Sequence, residues 1–313
     1  MFYYIENEYI SACISDYGAT LVKLIDKKSN KDIILGFDKE EGYYHIDSYI
    51  GASVGRNANR IGEAKFILND REYKLTANEN GNQLHGGYSN FAKKMWKVKN
   101  KDDKSITLSY FSKNLEEGFP GNLNVEVSYA LDNNNLIWSY KGEADEDTIL
   151  NMTNHSYFCL DDDNILNHEL KIHTDKYSPV DEFSLTKDEV LDVTDSPYDF
   201  KEFRVIKDNL NKLKCGIDNN YVYESLDDKL MAELKNKNLQ INVYSDLPDM
   251  HLYTAYYLHS DNGKYNKKYD SYSGICLECQ YYPNGINYNS YIKPILKKGE
   301  TMSHYIRYEI ISK

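Results

Sequence analysis

The 313-residue sequence contains no long run of apolar residues, and this absence excludes a membrane-spanning helix. Such a helix needs roughly 20 consecutive, mostly apolar residues, and no segment approaches that length. Residues 1–10 (MFYYIENEYI) also lack the basic start and apolar stretch of a secretory signal. Proline is scarce, at 6 residues, and no Pro/Ser-rich linker interrupts the chain. We therefore expect a single domain covering residues 1–313, located in the cytoplasm.

The sequence also has fewer positively than negatively charged residues. The sequence has 37 Lys and Arg against 49 Asp and Glu, which gives a net charge of −12 at pH 7. A protein with this balance repels nucleic-acid phosphates and anionic lipid headgroups, so we expect neither nucleic acid nor a membrane as a partner. A neutral small molecule is compatible with this charge. The 5 cysteines are odd in number and scattered, which is typical of reduced thiols rather than a disulfide framework.

Motifs for cofactors and metals are missing as well. There is no P-loop and no G-x-G-x-x-G fingerprint. A lone C-x-x-C occurs at Cys276 and Cys279, but no second pair accompanies it, and on a strand the two thiols point to opposite faces. The acidic triplet 161–163 lacks the pattern of a calcium loop and is predicted to be a solvated loop. We therefore expect no cofactor and no metal.

The sequence instead contains many short segments rich in Ile, Val, Tyr, Phe and Thr, separated by Asn, Asp and Gly turns. Residues 105–111 and 123–131 alternate between apolar and polar side chains, and residues 65–68 and 73–76 flank an Asn-Asp turn, which predicts a hairpin. Short helices are compatible with three segments only: 184–190, 201–213 and 226–237. This pattern predicts an all-β fold, a large antiparallel β-sandwich with a few short helices.

One motif suggests a hydrolase. Residues 51–55 (GASVG) match the G-x-S-x-G elbow, in which Ser53 would be the nucleophile. That elbow needs a strand, a sharp turn and a helix within alternating β and α elements, and this alternation is missing here. A serine esterase remains an alternative, which requires a histidine within hydrogen-bond reach of Ser53.

Two histidines stand out by their context. His85 precedes two glycines after the turn-like segment 78–82, and His155 ends the polar run 151–155 just before apolar residues. A polar cluster next to an apolar run is typical of a cleft wall. No H-E-x-x-H or H-x-H motif occurs among the eight histidines, which are His45, His85, His155, His168, His173, His251, His259 and His304.

A series of segments resembles the aldose 1-epimerase (galactose mutarotase) family. They follow the family's order over nearly the whole chain: 55–61 (GRNANRI), 82–87 (NQLHGG), 117–123 (EGFPGNL), 151–158 (NMTNHSYF), 196–200 (SPYDF), 216–221 (GIDNNY) and 273–280 (SGICLECQ). The resemblance implies a galactose mutarotase-like supersandwich and a cofactor-independent isomerase that interconverts the anomers of free hexoses such as galactose and glucose.

The resemblance also implies roles for individual residues. His155 would protonate the ring oxygen O5, Glu278 would remove the proton of the C1 hydroxyl, and His85 would hydrogen-bond the ring oxygen. The remaining implied contacts with sugar hydroxyls are made by Asn59, Arg60, Asp218 and His251. At His251 the chain departs from the family, which often has Gln there, and this departure is expected to alter one hydroxyl contact.

Other interpretations stay open at this point. A catalytically silent sugar-binding sandwich would keep the arginine and aspartate contacts but tolerate loss of the acid or base. A related branch of the superfamily acts on hexose 6-phosphates, but phosphate calls for clustered Arg or Lys, and arginine is scarce here. The sequence does not rank galactose against glucose, and it does not decide between a monomer and a homodimer.

Overall fold

The computed structural model describes residues 1–44, 48–161 and 163–313. His45, one of the eight histidines, and Asp162, in the predicted acidic loop, lie outside the described residues. The strands are, in chain order, β1 (Phe2–Glu6), β2 (Ile10–Ser15), β3 (Thr20–Asp26), β4 (Lys31–Asp32), β5 (Ser53–Val54), β6 (Arg60–Ile61), β7 (Lys65–Leu68), β8 (Arg71–Lys74), β9 (Gln83–Leu84), β10 (Lys97–Lys101), β11 (Ser105–Ser112), β12 (Leu123–Asp132), β13 (Asn135–Ala144), β14 (Thr148–Ile149), β15 (Thr153–Asn154), β16 (Tyr157–Phe158), β17 (Glu169–Ile172), β18 (Lys176–Ser178), β19 (Leu191–Asp192), β20 (Arg204–Val205), β21 (Asp218–Val222), β22 (Lys229–Lys235), β23 (Leu239–Ser245), β24 (Asp249–Tyr253), β25 (Ile275–Gln280), β26 (Ile295–Leu296) and β27 (Thr301–Ser312).

The three largest sheets contain 19 of these strands, the other eight form four two-stranded sheets, and all strand pairings are antiparallel. A nine-stranded sheet has the order β10-β11-β12-β13-β27-β23-β22-β17-β20, a six-stranded sheet has the order β16-β25-β24-β21-β18-β19, and a four-stranded sheet has the order β1-β2-β3-β4. Alternating side chains of β12 and β13 are buried, as the sequence pattern predicts. The predicted all-β antiparallel sandwich is confirmed.

A single cluster of buried hydrophobic side chains includes residues from all three sheets. The ring of Phe158 on β16 contacts the ring of Tyr308 on β27, with centroids 5.0 Å apart, so the six-stranded and nine-stranded sheets touch there. The core therefore occupies one face of the six-stranded sheet. The opposite face of that sheet is free to carry polar groups.

Helical structure is limited to short pieces. The α-helix α1 spans Ile206–Leu210, inside the predicted segment 201–213, and 3-10 turns occupy Glu40–Tyr43, Gly62–Ala64, Phe91–Lys93, Glu116–Gly118, Lys264–Asn266 and Gly285–Asn287. Among the described residues, no helix has the length and apolar character needed to cross a membrane.

Two of the three helix predictions were wrong. Residues 184–190 form no helix, and residues 226–237 contain strand β22. In β22 the register shifts between Leu230 and Ala232, so that the neighbours Met231 and Ala232 are both buried. Such a bulge breaks the two-residue alternation and produces an apolar spacing that resembles a helix. The hairpin prediction, in contrast, is confirmed by β7 and β8, which pair from Leu68 to Arg71.

Candidate active site

A cavity of about 640 Å³ lies at the polar face of the six-stranded sheet. All the site residues singled out in the sequence line this one cavity, although they come from distant parts of the chain: Asn59, Arg60, His85, His155, Asp218, His251 and Glu278. Five of the cavity's further lining residues are Tyr or Phe side chains that could cover the carbon face of a ligand: Tyr49, Tyr157, Phe183, Tyr253 and Tyr257.

Three of these polar residues are held by adjacent strands. Glu278 on β25 lies directly opposite His251 on β24, and Asp218 on β21 lies opposite Tyr253 of the same strand β24. Because opposed residues of an antiparallel pair share one face, all these side chains point into the cavity. The intervening Leu252 and Leu277 point to the core and are buried. A rigid sheet therefore fixes the positions of these groups.

His155 and Glu278 form the central pair of the site. Nε2 of His155 lies 3.6 Å from Oε1 of Glu278, and both side chains are almost completely buried. Burial lowers the pKa of His155 to about 4. Burial also raises the pKa of Glu278 well above its ordinary range, and the Asp218 charge adds to this effect. Both shifts favour the uncharged forms of the two groups, so burial favours a single shared proton on the pair, carried by Glu278.

His85 is a neutral hydrogen-bond donor. It follows β9 with a φ of 50°, and its backbone N–H donates to the carbonyl oxygen of Asn59 over 3.1 Å. The backbone N–H of Asn59 in turn donates to Nδ1 of His85 over 3.2 Å, so the ring proton must sit on Nε2. Burial lowers the pKa of His85 well below its ordinary range, and the neighbouring His155 and Arg60 act in the same direction.

Arg60 supplies the cationic group of the cavity. Its Nε donates to Oε2 of Glu79 over 2.5 Å, and its Nη2 donates to Oε1 over 3.1 Å. This bidentate pairing fixes the orientation of the guanidinium group and leaves the N–H donors of Nη1 for a ligand. The side-chain oxygen of Asn59 accepts the backbone N–H of Arg60 over 2.8 Å, so the Asn59 amide group remains as a further donor.

Asp218 and His251 form a second hydrogen-bonded pair. Nε2 of His251 lies 2.7 Å from Oδ1 of Asp218. Burial acts to raise the pKa of Asp218, but the hydrogen bond to His251 and the nearby charges outweigh it and leave the pKa below its ordinary value. Asp218 is therefore an ionised acceptor, whose second oxygen can receive hydroxyl groups.

The cavity also contains a cluster with the composition of a metal site. One ligand atom each from His85, His155 and Glu278 lies within 4.8 Å of the others. A histidine that binds a metal normally donates its second ring N–H to an acceptor. His85 does the opposite, because its Nδ1 accepts the Asn59 N–H and its Nε2 therefore carries the proton. The donor set does not fit a resident metal ion.

Comparisons with known proteins agree with this geometry. The family model described as aldose 1-epimerase matches residues 1–309. The chain belongs to the aldose 1-epimerase family. It is 33% identical to the galactose mutarotase of Bos taurus over 311 residues, which is 96% of this chain and 91% of that one. It is 31% identical to the aldose 1-epimerase of Escherichia coli K12, with the same coverage of both chains.

Solved structures of this family share the fold. The aldose epimerase homologue of C. elegans superposes with a TM-score of 0.94 at 26% identity, covering 100% of this chain and 99% of that one. The galactose 1-epimerase of Lactobacillus acidophilus NCFM superposes with a TM-score of 0.88 at 26% identity, covering 99% and 93% of the two chains. The galactose mutarotase-like sandwich expected from the sequence motifs is thereby confirmed.

The hydrolase alternative finds no support in the structure. Ser53 lies on β5 and is fully buried, where its hydroxyl donates to the carbonyl oxygen of Ala19 and accepts the indole N–H of Trp138 over 3.0 Å. No histidine is hydrogen-bonded to it among the described residues. Ser53 is therefore a packing residue in this chain, and its hydroxyl group links Ala19 to Trp138 on β13.

Some lining residues could not be found from the sequence alone. Glu79 is one of them, although it lies in the turn-like segment 78–82 just before His85. Tyr49 is another, and its ring packs against both His85 and His155, with centroid distances of 4.7 and 5.9 Å. With 30 tyrosines in the chain, no sequence signal separates the cavity tyrosines from those of the core.

Proposed function

We propose that the protein catalyses the interconversion of the α and β anomers of a free aldohexose, with galactose and glucose as the first candidates. The observation that carries the proposal is the buried pair of His155 and Glu278, whose Nε2 and Oε1 atoms lie 3.6 Å apart and in which burial favours a single shared proton. Ring opening needs one proton removed from the C1 hydroxyl and one proton delivered to the ring oxygen. A pair with one proton can do both, because one member is an acid and the other a base.

The roles within the pair follow from this proton count. Sugar hydroxyls and the Arg60 charge stabilise ionised Glu278, and its proton then moves to His155 without any exchange with solvent. His155 delivers this proton to O5 while Glu278 takes the proton of the C1 hydroxyl. Rotation about the C1–C2 bond and the reverse transfers close the ring on the other face.

The remaining groups hold the sugar. The Nε2–H of His85 donates to the ring oxygen, Arg60 and Asn59 donate to hydroxyl oxygens, and Asp218 accepts hydroxyl protons. His251 orients Asp218 through the 2.7 Å hydrogen bond. Each positioned acid or base of this kind typically raises a rate by ~10²–10⁴-fold.

The charge of the cavity supports an unphosphorylated substrate. Arg60 is the only Arg or Lys among the described lining residues, and it is already paired with Glu79. The acidic residues Glu182 and Asp218 line the same cavity. A phosphate dianion would meet more negative than positive charge there, whereas a neutral sugar would not be repelled.

The test is polarimetry with freshly dissolved α-D-galactose and α-D-glucose. Wild-type protein is expected to speed the approach to anomeric equilibrium, and Glu278→Gln and His155→Ala are each expected to lose ~10²–10⁴-fold in kcat. His259→Ala and Glu182→Gln are matched controls, since these side chains line the same cavity outside the pair, and both are expected to keep wild-type rates.

Three other outcomes would contradict the proposal or part of it. If wild-type protein leaves the spontaneous rate unchanged for both sugars yet binds them, the silent sugar-binding sandwich replaces the enzyme. If only galactose 6-phosphate or glucose 6-phosphate is converted, the free-sugar assignment is wrong. Full activity in Glu278→Gln would remove the acid–base pair from the mechanism.

A further inference from the structure

We propose that the thiol of Cys276 is a positioning residue for the catalytic imidazole, which it holds by a contact with Nδ1 of His155. This inference rests on the proposed function, because it concerns the orientation of the group assigned there as the acid. Sγ of Cys276 lies 3.5 Å from Nδ1 of His155, and both residues are buried. Cys276 belongs to the same strand as Glu278, and the two side chains share one face of β25.

The strands bring the thiol to the ring directly. β16 pairs with β25 so that Tyr157 lies opposite Cys276, and His155 precedes Tyr157 by two residues. The ring of His155 stacks between two tyrosine rings, with centroids 5.1 Å from Tyr157 and 5.9 Å from Tyr49. Stacking fixes the plane of the imidazole but does not distinguish the two ring orientations related by a half-turn about the Cβ–Cγ bond. The contact with Cys276 favours the orientation that places Nδ1 at the thiol and Nε2 toward Glu278.

Sulfur suits this position for a chemical reason. Burial raises the pKa of the Cys276 thiol well above its ordinary range, and the neighbouring Glu278 acts in the same direction, so the thiol stays neutral. A neutral thiol is a weak hydrogen-bond acceptor. It therefore orients the Nδ1–H of His155 while giving little stabilisation to the imidazolium. His155 remains a strong acid, in line with its pKa of about 4.

The second thiol of the C-x-x-C pair provides a matched control. Cys279 lies on the same strand and is equally buried, but it faces the core, where it neighbours Ser245. Truncation at either position removes one sulfur from the interior. Only truncation at Cys276 removes a contact with His155.

The experiment compares Cys276→Ala, Cys276→Ser and Cys279→Ala by polarimetry across pH, together with thermal unfolding. Cys276→Ala is expected to lower kcat roughly 3- to 10-fold with little change in KM, which corresponds to the loss of one neutral hydrogen bond. Cys276→Ser is expected to keep more of the activity. It should also move the acid limb of the kcat profile to higher pH, because a hydroxyl oxygen accepts the Nδ1–H more strongly. Cys279→Ala should keep the wild-type kcat and pH profile.

Three results would overturn the role of Cys276. The first is a wild-type kcat and acid limb in Cys276→Ala, and the second is an equal loss of kcat in Cys279→Ala. The third result applies if Cys276→Ala does not fold: the acid limb of the kcat profile of Cys276→Ser then coincides with that of wild type. An inactive wild-type protein would overturn the proposed function and this role with it, whereas active protein with unaffected Cys276 variants would overturn this role alone.

Discussion

Asp249 offers a measurable link between proton binding and stability. It lies on β24, two residues before His251, and only 2% of its surface is exposed. Its Oδ1 accepts the backbone N–H of Tyr223 over 3.1 Å. Burial raises the pKa of Asp249 to about 7, although hydrogen bonds from the surrounding backbone and from Asn220 oppose this effect. In the folded protein the carboxyl group thus holds its proton up to neutral pH.

The direction of the pH dependence follows from the pKa of Asp249 in the folded and unfolded states. In the unfolded chain the Asp249 carboxyl group loses its proton near the ordinary pKa of 3.8, whereas in the folded protein it does so near pH 7. Between these values the unfolded state binds fewer protons, so stability falls as pH rises. At about 1.4 kcal/mol for each tenfold difference in proton affinity, the loss amounts to roughly 4 kcal/mol above pH 7. At pH 4.5 the same calculation gives a loss of only about 1 kcal/mol.

Asp249→Asn should abolish this dependence, since the amide oxygen can still accept the Tyr223 N–H but carries no charge. We expect the variant to gain about 3 kcal/mol relative to wild type between pH 4.5 and pH 8, measured by urea unfolding. Asp208→Asn, at an exposed aspartate of α1, is the control and should show no such gain. A stability difference between Asp249→Asn and wild type that is the same at both pH values would refute the reasoning.

Three further substitutions test the framework around the site. Arg56→Ala should cost at least about 4 kcal/mol in urea unfolding, because the buried guanidinium donates to several backbone carbonyl and hydroxyl oxygens that would lose their partner. Gly86→Ala should destabilise the protein much more than Gly81→Ala. Both have positive φ, but a Cβ at Gly86 would lie 2.2 Å from the Gly55 carbonyl oxygen and one at Gly81 would meet nothing within 4 Å; equal thermal shifts would contradict this. Ser53→Ala should keep full mutarotation and lose about 1–2 kcal/mol of stability, and a loss of mutarotation in a folded variant would contradict the role of Ser53 as a packing residue.

Much of the fold could be predicted from local patterns. Buried and less buried side chains alternate along β11, β12 and β13, because one face of each strand packs on the core and the other faces solvent. The Asn-Asp turn at Asn69 indicates the hairpin of β7 and β8. β22 could not be predicted in this way. Its bulge places Met231 and Ala232 both in the core, and only pairing with β17 and β23 shows it to be a strand.

The site was less accessible to local reasoning. Context alone singled out His85 and His155, and the family resemblance added Arg60, Asp218 and Glu278. No local pattern could pair Arg60 with Glu79 or place Cys276 beside His155, because these contacts depend on which strands become neighbours. The sequence segments indicate which residues are candidates for the site, whereas strand order and register determine which residues contact them.

The register of β24 and β25 connects the core to the chemistry. Alternate residues of these strands point to the core, as Leu252 and Leu277 do, and those between them point into the cavity, as His251 and Glu278 do. A slip of one residue would bury the carboxylate of Glu278 in the apolar core and expose Leu277 to the cavity. Burial of the leucines therefore stabilises the same register that points Glu278 into the cavity, where it lies 3.6 Å from His155. Packing on one face of the sheet thus fixes the positions of the proposed catalytic and binding groups on the other face.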